Sequence, residues 1–196
     1  METIRLAPCK KNAARLAAHL VFIDESGFLL IPSVRKTWSP VGQTPLVHHR
    51  YRHDRISAIS GIAVSPKRRH CTLYCHLYED NIQGEDVAFF LRHLLRQIPG
   101  QLIVLRDNST THRGDAVEEL LAHTSRLHLE PFPPYAPELN PDEGVWHHLK
   151  STLANGRPDT QAELMDVLCE AICRLATSQT LLRGCIKQSA LPSFLS

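Results

Sequence analysis

His19-Leu20-Val21-Phe22-Ile23-Asp24-Glu25-Ser26-Gly27 is the stretch on which the fold turns. A short apolar run stops at two acids and a Ser-Gly pair. That pattern predicts a buried strand ending in acids and a turn. A second run, Leu102-Ile103-Val104-Leu105, leads through Arg106 into Asp107 and Asn108 in the same way. Ligands of open α/β sheets gather beyond the carboxyl ends of strands. If these two strands are neighbours, Asp24 and Asp107 lie side by side. Two carboxylates that close repel unless a proton or a cation sits between them. Oxygen-only ligands suit Mg²⁺ or Mn²⁺. Each Asp also has a plainer reading, as the start of a turn or a helix cap.

Outward from these strands, residues 13–20 read as the end of a helix. Residues 32–54 are a long excursion rich in Pro, Gly and basic residues, with Trp38 isolated among them; long loops in compact domains are usually functional or mobile. Residues 55–64 and 70–78 read as a hairpin joined by Ser65-Pro66-Lys67-Arg68-Arg69. Apolar positions 87, 90, 91, 94, 95 and 98 form a helical stripe that Pro99-Gly100 ends. A helix over 114–124 and a strand over 127–132 follow, then helices over 141–154, 161–176 and 179–187. The order is β, hairpin, α, β, α, β, then helices. It implies an α/β fold with a mixed sheet flanked by helices.

Composition adds bounds. The 196 residues suffice for one domain, and 43% hydrophobic with 21% charged residues is ordinary for a globular protein. No apolar run has the ~20 residues of a membrane span, and residues 1–20 lack a secretory signal, so a cytoplasmic location is expected. The net charge of +2 is too small to argue for nucleic acid by itself. Short basic patches occur at Lys10-Lys11, Arg50 to Arg55 and Lys67 to Arg69. Each has a plain reading as a solvated turn beside a phosphate-binding one. Of the six Cys, the pairs 71/75 and 169/173 each put two sulfurs on one face of an element. Small buried thiols are expected there rather than a zinc site.

The third acid is in Asn140-Pro141-Asp142-Glu143. Asn140 suits an N-cap, Pro141 the first helical position, and an acid three residues after the cap completes a capping box. A carboxylate at a helix start can equally face a metal. His147 and Lys150 share the helical face of Glu143, while Trp146, Leu149 and Leu153 make a separate apolar face.

Together, Val21-Phe22-Ile23-Asp24-Glu25-Ser26, Asp107-Asn108-Ser109-Thr110-Thr111-His112 and Pro134-Tyr135-Ala136-Pro137-Glu138-Leu139-Asn140-Pro141-Asp142-Glu143-Gly144-Val145-Trp146 resemble the DDE-superfamily transposases, in the bacterial insertion-sequence branch of the mariner-like group. The gap of 35 residues between Asp107 and Glu143 fits that group. So does Arg35-Lys36-Thr37-Trp38-Ser39-Pro40-Val41-Gly42-Gln43-Thr44-Pro45. The resemblance spans residues 18–155.

It implies an RNase H-like mixed five-stranded sheet: a catalytic domain over 18–155 with a clamp-like loop or hairpin at 29–54. Residues 1–17 would be a remnant or linker, and 156–196 helices packing on the same domain. It implies Asp24, Asp107 and Glu143 as catalytic metal ligands for two Mg²⁺ or Mn²⁺ ions, cutting DNA at transposon ends and joining a 3′-hydroxyl to target DNA, commonly at TA. Glu25, Asn108, His112 and Asp142 are candidates to support the ligands. Arg35, Lys36, Trp38, Arg50, Arg52, His147 and Lys150 are candidates to touch DNA. A homodimer assembled on DNA, with no membrane partner, and a nucleoid-associated bacterial location are expected. Position 142 is Asp where many relatives carry an apolar residue, so two adjacent acids compete for the third place. Too few residues precede the first strand for a helix-turn-helix domain, so the chain is expected to be the second product of a split element with that domain on a separate subunit, a fragment, or a truncated relic. The rival readings are another RNase H-like nuclease, of ribonuclease H or resolvase type, and a non-catalytic DNA-binding relic.

Overall fold

In a computed structural model of the protein, residues 12–30, 38–43, 54–107, 114–133, 136–154 and 158–191 are described. Strands β1 (His19–Leu29), β2 (Arg55–Val64), β3 (Cys71–Tyr78), β4 (Leu102–Arg106) and β5 (Leu127–Pro131) form one sheet in the order β3-β2-β1-β4-β5. β2 is antiparallel to β1 and to β3, whereas β4 runs parallel to both β1 and β5. Helix α1 (Gly84–Gln97) joins β3 to β4, and α2 (Asp115–Ala122) joins β4 to β5. A 3-10 turn (Pro137–Leu139) leads into α3 (Asp142–Leu153), followed by α4 (Gln161–Thr177) and α5 (Gln179–Gln188). This is the mixed, helix-flanked α/β sheet expected.

Period-two alternation along the strands divides the core in two. Leu20, Phe22, Ile56, Ala58, Ile62 and Val64 pack with Val145, Trp146, Leu149, Leu164, Leu168 and Leu182 on the α3–α5 side. Val21, Ile23, Ile59 and Ala63 pack with Val87, Phe90, Leu91, Leu94 and Val117 on the α1–α2 side. Each fully buried Leu, Ile or Phe contributes about 1.5–3 kcal/mol of hydrophobic stabilisation. The alternation also sets where polar positions look. Asp24 and Ser60 share the parity of Phe22 and Ile62, so they face the α3 layer.

Three local features were not anticipated. β1 does not stop at Asp24. Its ladder with β2 continues from Asp24↔Ser60 to Leu29↔Arg55, whereas its ladder with β4 ends at Phe22↔Leu105. The polar residues 24–27 resemble a turn in composition, yet β2 satisfies their backbone groups. α1 starts with a capping box between Gln83 and Asp86. The C-terminal helices are pinned to the sheet by side chains. Gln179 donates from Nε2 to the Cys71 carbonyl at 2.6 Å and accepts from its N–H at 3.1 Å, and Gln161 donates to the Arg55 carbonyl.

α3 and α5 meet at Gly144. A Cβ there would lie 2.9 Å from the Cβ and 3.1 Å from the Sγ of Cys185. At Gly184, on α5, an added Cβ would meet nothing within 4 Å. The same substitution should therefore have opposite signs. Gly184→Ala should stabilise by up to about 1 kcal/mol through helix propensity. Gly144→Ala should destabilise by about 1–3 kcal/mol through overpacking. Denaturant unfolding of both variants measures the pair.

Candidate active site

Asp24 lies on β1 just beyond the end of its ladder with β4. That parallel ladder runs His19↔Leu102 to Phe22↔Leu105. Carried two residues further in the same register, it sets Asp107 opposite Asp24. The two acids thus follow neighbouring parallel strands, and the charge of Asp107 is felt at Asp24.

Glu143 arrives from α3, whose first turn is tied to the sheet. The Trp146 indole Nε1–H donates to Asp24 Oδ2 at 2.9 Å. Ser60, the cross-strand partner of Asp24, donates from its hydroxyl to Asp142 Oδ1. Asn140 reaches back from Nδ2 to the Ile23 carbonyl at 3.5 Å, and its Oδ1 accepts the N–H of Asp142 at 3.2 Å. The helix starts one residue later than expected, with Pro141 at its N-cap and no side-chain cap, and Asn140 braces the Asp142 N–H from just outside it. The capping box does not form, because the Asn140 N–H donates instead to the Pro137 carbonyl. Glu143 is exposed and its carboxylate is not spent on the cap.

The two adjacent acids differ sharply. Asp142 is fully buried, and its Oδ2 has no hydrogen-bond partner. Burial pushes its carboxyl well above the usual range; the Ser60 hydroxyl and the Ile62 backbone pull it down, while the charges of Asp24 and Glu143 push it up. Asp24 is raised to about 6, chiefly by burial. The Trp146 N–H and the Glu25 N–H pull it down, and the nearby charges of Glu143 and Asp107 push it up.

Glu143 and Asp107 are therefore both close enough to Asp24 to resist its ionisation. Among the described residues, however, no three His, Cys, Asp or Glu side chains converge enough to hold one metal ion as they stand. The donor set still fits a hard divalent cation. Its donors are all carboxylate oxygens, and a cation would offset both the burial that chiefly raises Asp24 and the smaller repulsion from Glu143 and Asp107.

Glu25 is half-buried beside Asp24, and His147 and Lys150 are exposed on α3. Trp38 is 99% exposed. Asn108, His112, Arg35, Lys36, Arg50 and Arg52 lie outside the described residues. The sequence reading missed Trp146 and Ser60. Trp146 fell into an apolar helical stripe that hid its N–H, and Ser60 sits inside an apolar strand. The thiol expectation needs correction too. Cys71 and Cys185 are buried, but Cys169 and Cys173 are exposed, because α4 turns that face to solvent.

The family of the chain is shown by its match to a family model for DDE superfamily endonucleases over residues 19–165. The chain belongs to that family. Its fold is similar to that of the Mos1 mariner transposase. It superposes on a Mos1 paired-end complex with the left transposon end (TM-score 0.65, 18% identity), covering 97% of this chain and 62% of that one. A Mos1 paired-end complex with Mn gives a TM-score of 0.66 at 19% identity, covering 96% of this chain and 58% of that one. The isolated Mos1 catalytic domain gives 0.52 at 14% identity, covering 97% and 94%. The chain thus spans about three fifths of the full Mos1 chains and nearly all of their catalytic domain. These likenesses establish the RNase H-like fold. No curated protein matches the chain by sequence.

The burial of Asp142 has a measurable consequence. Its folded-state affinity for a proton exceeds that of the unfolded chain, near 3.8. Stability from this group is therefore complete below that value and is lost as pH rises through the higher folded value. Asp142→Asn, which cannot ionise, should gain on the parent protein as pH rises. The difference in Tm should move towards the variant as pH rises above about 4.

Proposed function

We propose that the chain is the catalytic domain of a DNA transposase, cutting DNA at transposon ends and transferring the freed strand to a target. What supports this reading is that Asp24, buried at the end of the parallel ladder, feels the charges of both Glu143 and Asp107, acids distant from it in sequence. Family membership supports it, as does a fold shared with a transposase whose structures hold transposon ends and Mn or Mg.

Asp24, Asp107 and Glu143 would hold two divalent cations, Mg²⁺ or Mn²⁺. When bound, these supply the charge that activates water or a 3′-hydroxyl and stabilises the leaving oxygen. The chain's own residues do the rest. Asp24 and Asp107 present their carboxylates from a rigid sheet. Glu143 is delivered by α3, with Asp142 buried in the same first turn. His147 and Lys150, on the exposed face of the same helix, are placed to meet phosphate. Trp38 offers an exposed indole on which an unpaired base could stack.

The reading extends to a bacterial insertion-sequence origin, a cytoplasmic and nucleoid-associated location, insertion at TA, a homodimer on DNA, and a helix-turn-helix subunit for end recognition. The layout of a domain over 18–155, with a clamp-like 29–54 and C-terminal helices on the same body, belongs to it as well.

Asp24→Asn, Asp107→Asn and Glu143→Gln should each keep the parent's circular dichroism and lose Mg²⁺-dependent cleavage of duplexes bearing the element's inverted repeats. Near-parental activity in any one removes that residue from the ligand set. Preference for an RNA–DNA hybrid or branched DNA over repeat-bearing duplex would favour the other RNase H-like nucleases.

Cleavage should also be pH-dependent. Asp24 must be ionised to hold a cation, so at limiting Mg²⁺ activity should fall as pH drops through about 6. Excess Mg²⁺ should move that midpoint to lower pH, because the ion competes with the proton. A pH–rate series at two Mg²⁺ concentrations reads both effects.

A further inference from the structure

We propose that Trp146 is a positioning residue for Asp24: its indole N–H fixes the rotation of the carboxylate and so commits the remaining oxygen sites to the cation. The proposal rests on Asp24 being a metal ligand.

The Asp side chain ends in a torsion with a broad, two-fold profile, so its carboxylate turns readily when nothing holds it. Here one oxygen is held. Trp146 Nε1 lies 2.9 Å from Asp24 Oδ2, a bond spanning 122 positions of sequence. The donor itself is immobile. Trp146 is 3% exposed, and its ring meets Phe28 edge-to-face, at 6.0 Å between centroids and 66° between planes. Phe28 is on β1, four residues beyond Asp24, so the same strand that presents the acid also braces the indole.

A carboxylate has about four lone-pair sites, and an indole N–H takes one of them. The Glu25 N–H takes another, and the rest remain for a cation. A Phe at position 146 would keep most of the apolar packing, and would leave Oδ2 without this donor. Trp is therefore chemically informative in an otherwise apolar stripe. Trp146 also follows Glu143 by three residues, so one helical turn sets both the third acid and the clamp on the first.

Three replacements separate the donor from the bulk. Trp146→Phe keeps most of the packing and loses the N–H. Replacement by benzothienylalanine keeps the indole's shape and puts sulfur where the N–H was. Trp146→His keeps an N–H on a five-membered ring and loses the second ring. Mn²⁺ binding to each intact protein is followed by the EPR signal of free ion, with Tm and cleavage at saturating Mn²⁺ measured alongside.

Losing an outer hydrogen bond to a metal ligand costs about 10–100-fold in affinity or activity. The Phe and benzothienyl variants should therefore need about 10–100-fold more Mn²⁺ for half-saturation. Their Tm should not account for the change. Trp146→His should show the larger fall in Tm and, measured below it, Mn²⁺ binding closer to the parent's. Parental Mn²⁺ affinity in the benzothienyl variant overturns the proposal. So does an affinity that merely tracks Tm across all three. Asp24→Asn is the reference: if it too binds Mn²⁺ like the parent, Asp24 is not a ligand, and the underlying reading fails separately.

Discussion

The attachment of the α3 start to the middle of the sheet is the constraint on which the rest depends. Its ties lie within a few ångströms of one another: Trp146 to Asp24, Ser60 to Asp142, and Asn140 to the Ile23 carbonyl. Each links a backbone-ordered strand to a helix more than 80 residues away in sequence. The sheet alone could pair Asp24 with Asp107, because both leave neighbouring parallel strands. Only the docking of α3 adds Glu143. Apolar packing of Val145, Trp146 and Leu149 drives that docking, and the polar ties set its register.

This attachment also explains how two adjacent acids come to differ. Successive helical residues point about 100° apart. With Trp146 turned to the sheet, Asp142 is turned inward with it and Glu143 outward. Asp142 is buried against Ser60, where a charge would be costly. Glu143 stays in solvent, where a charge is free to act. Asp142 Oδ2 has no hydrogen-bond partner, so the site keeps an imperfectly satisfied polar group in its floor. Proteins concentrate such local inconsistencies at functional sites.

Much of this was legible beforehand, for physical reasons. Alternation and the helical stripe at 87, 90, 91 and 94 depend on local period, so the elements stood out. The strand–Asp pattern at 24 and 107 placed two acids at one sheet end, because parallel neighbours share a direction. Other features depend on partners distant in sequence. Nothing local distinguishes Asp24 to Gly27 from a turn; β2 makes them a strand. Nothing local says that the Trp146 N–H finds a carboxylate, or that Asn140 spends its N–H on Pro137 and frees Glu143 from a cap. The exposure of Cys169 and Cys173 follows from how α4 lies on β3, which its own apolar period does not specify.

The chain carries two tryptophans, and their surroundings could hardly differ more. One indole, at position 38, is open to water; the other is sealed against Phe28 and a carboxylate. Their emission should be separable by colour, the solvated ring to the red and the enclosed ring to the blue. The molecule thus contains a native optical probe at each of two places, one seated at its acid cluster and one on its outer surface, with no label attached.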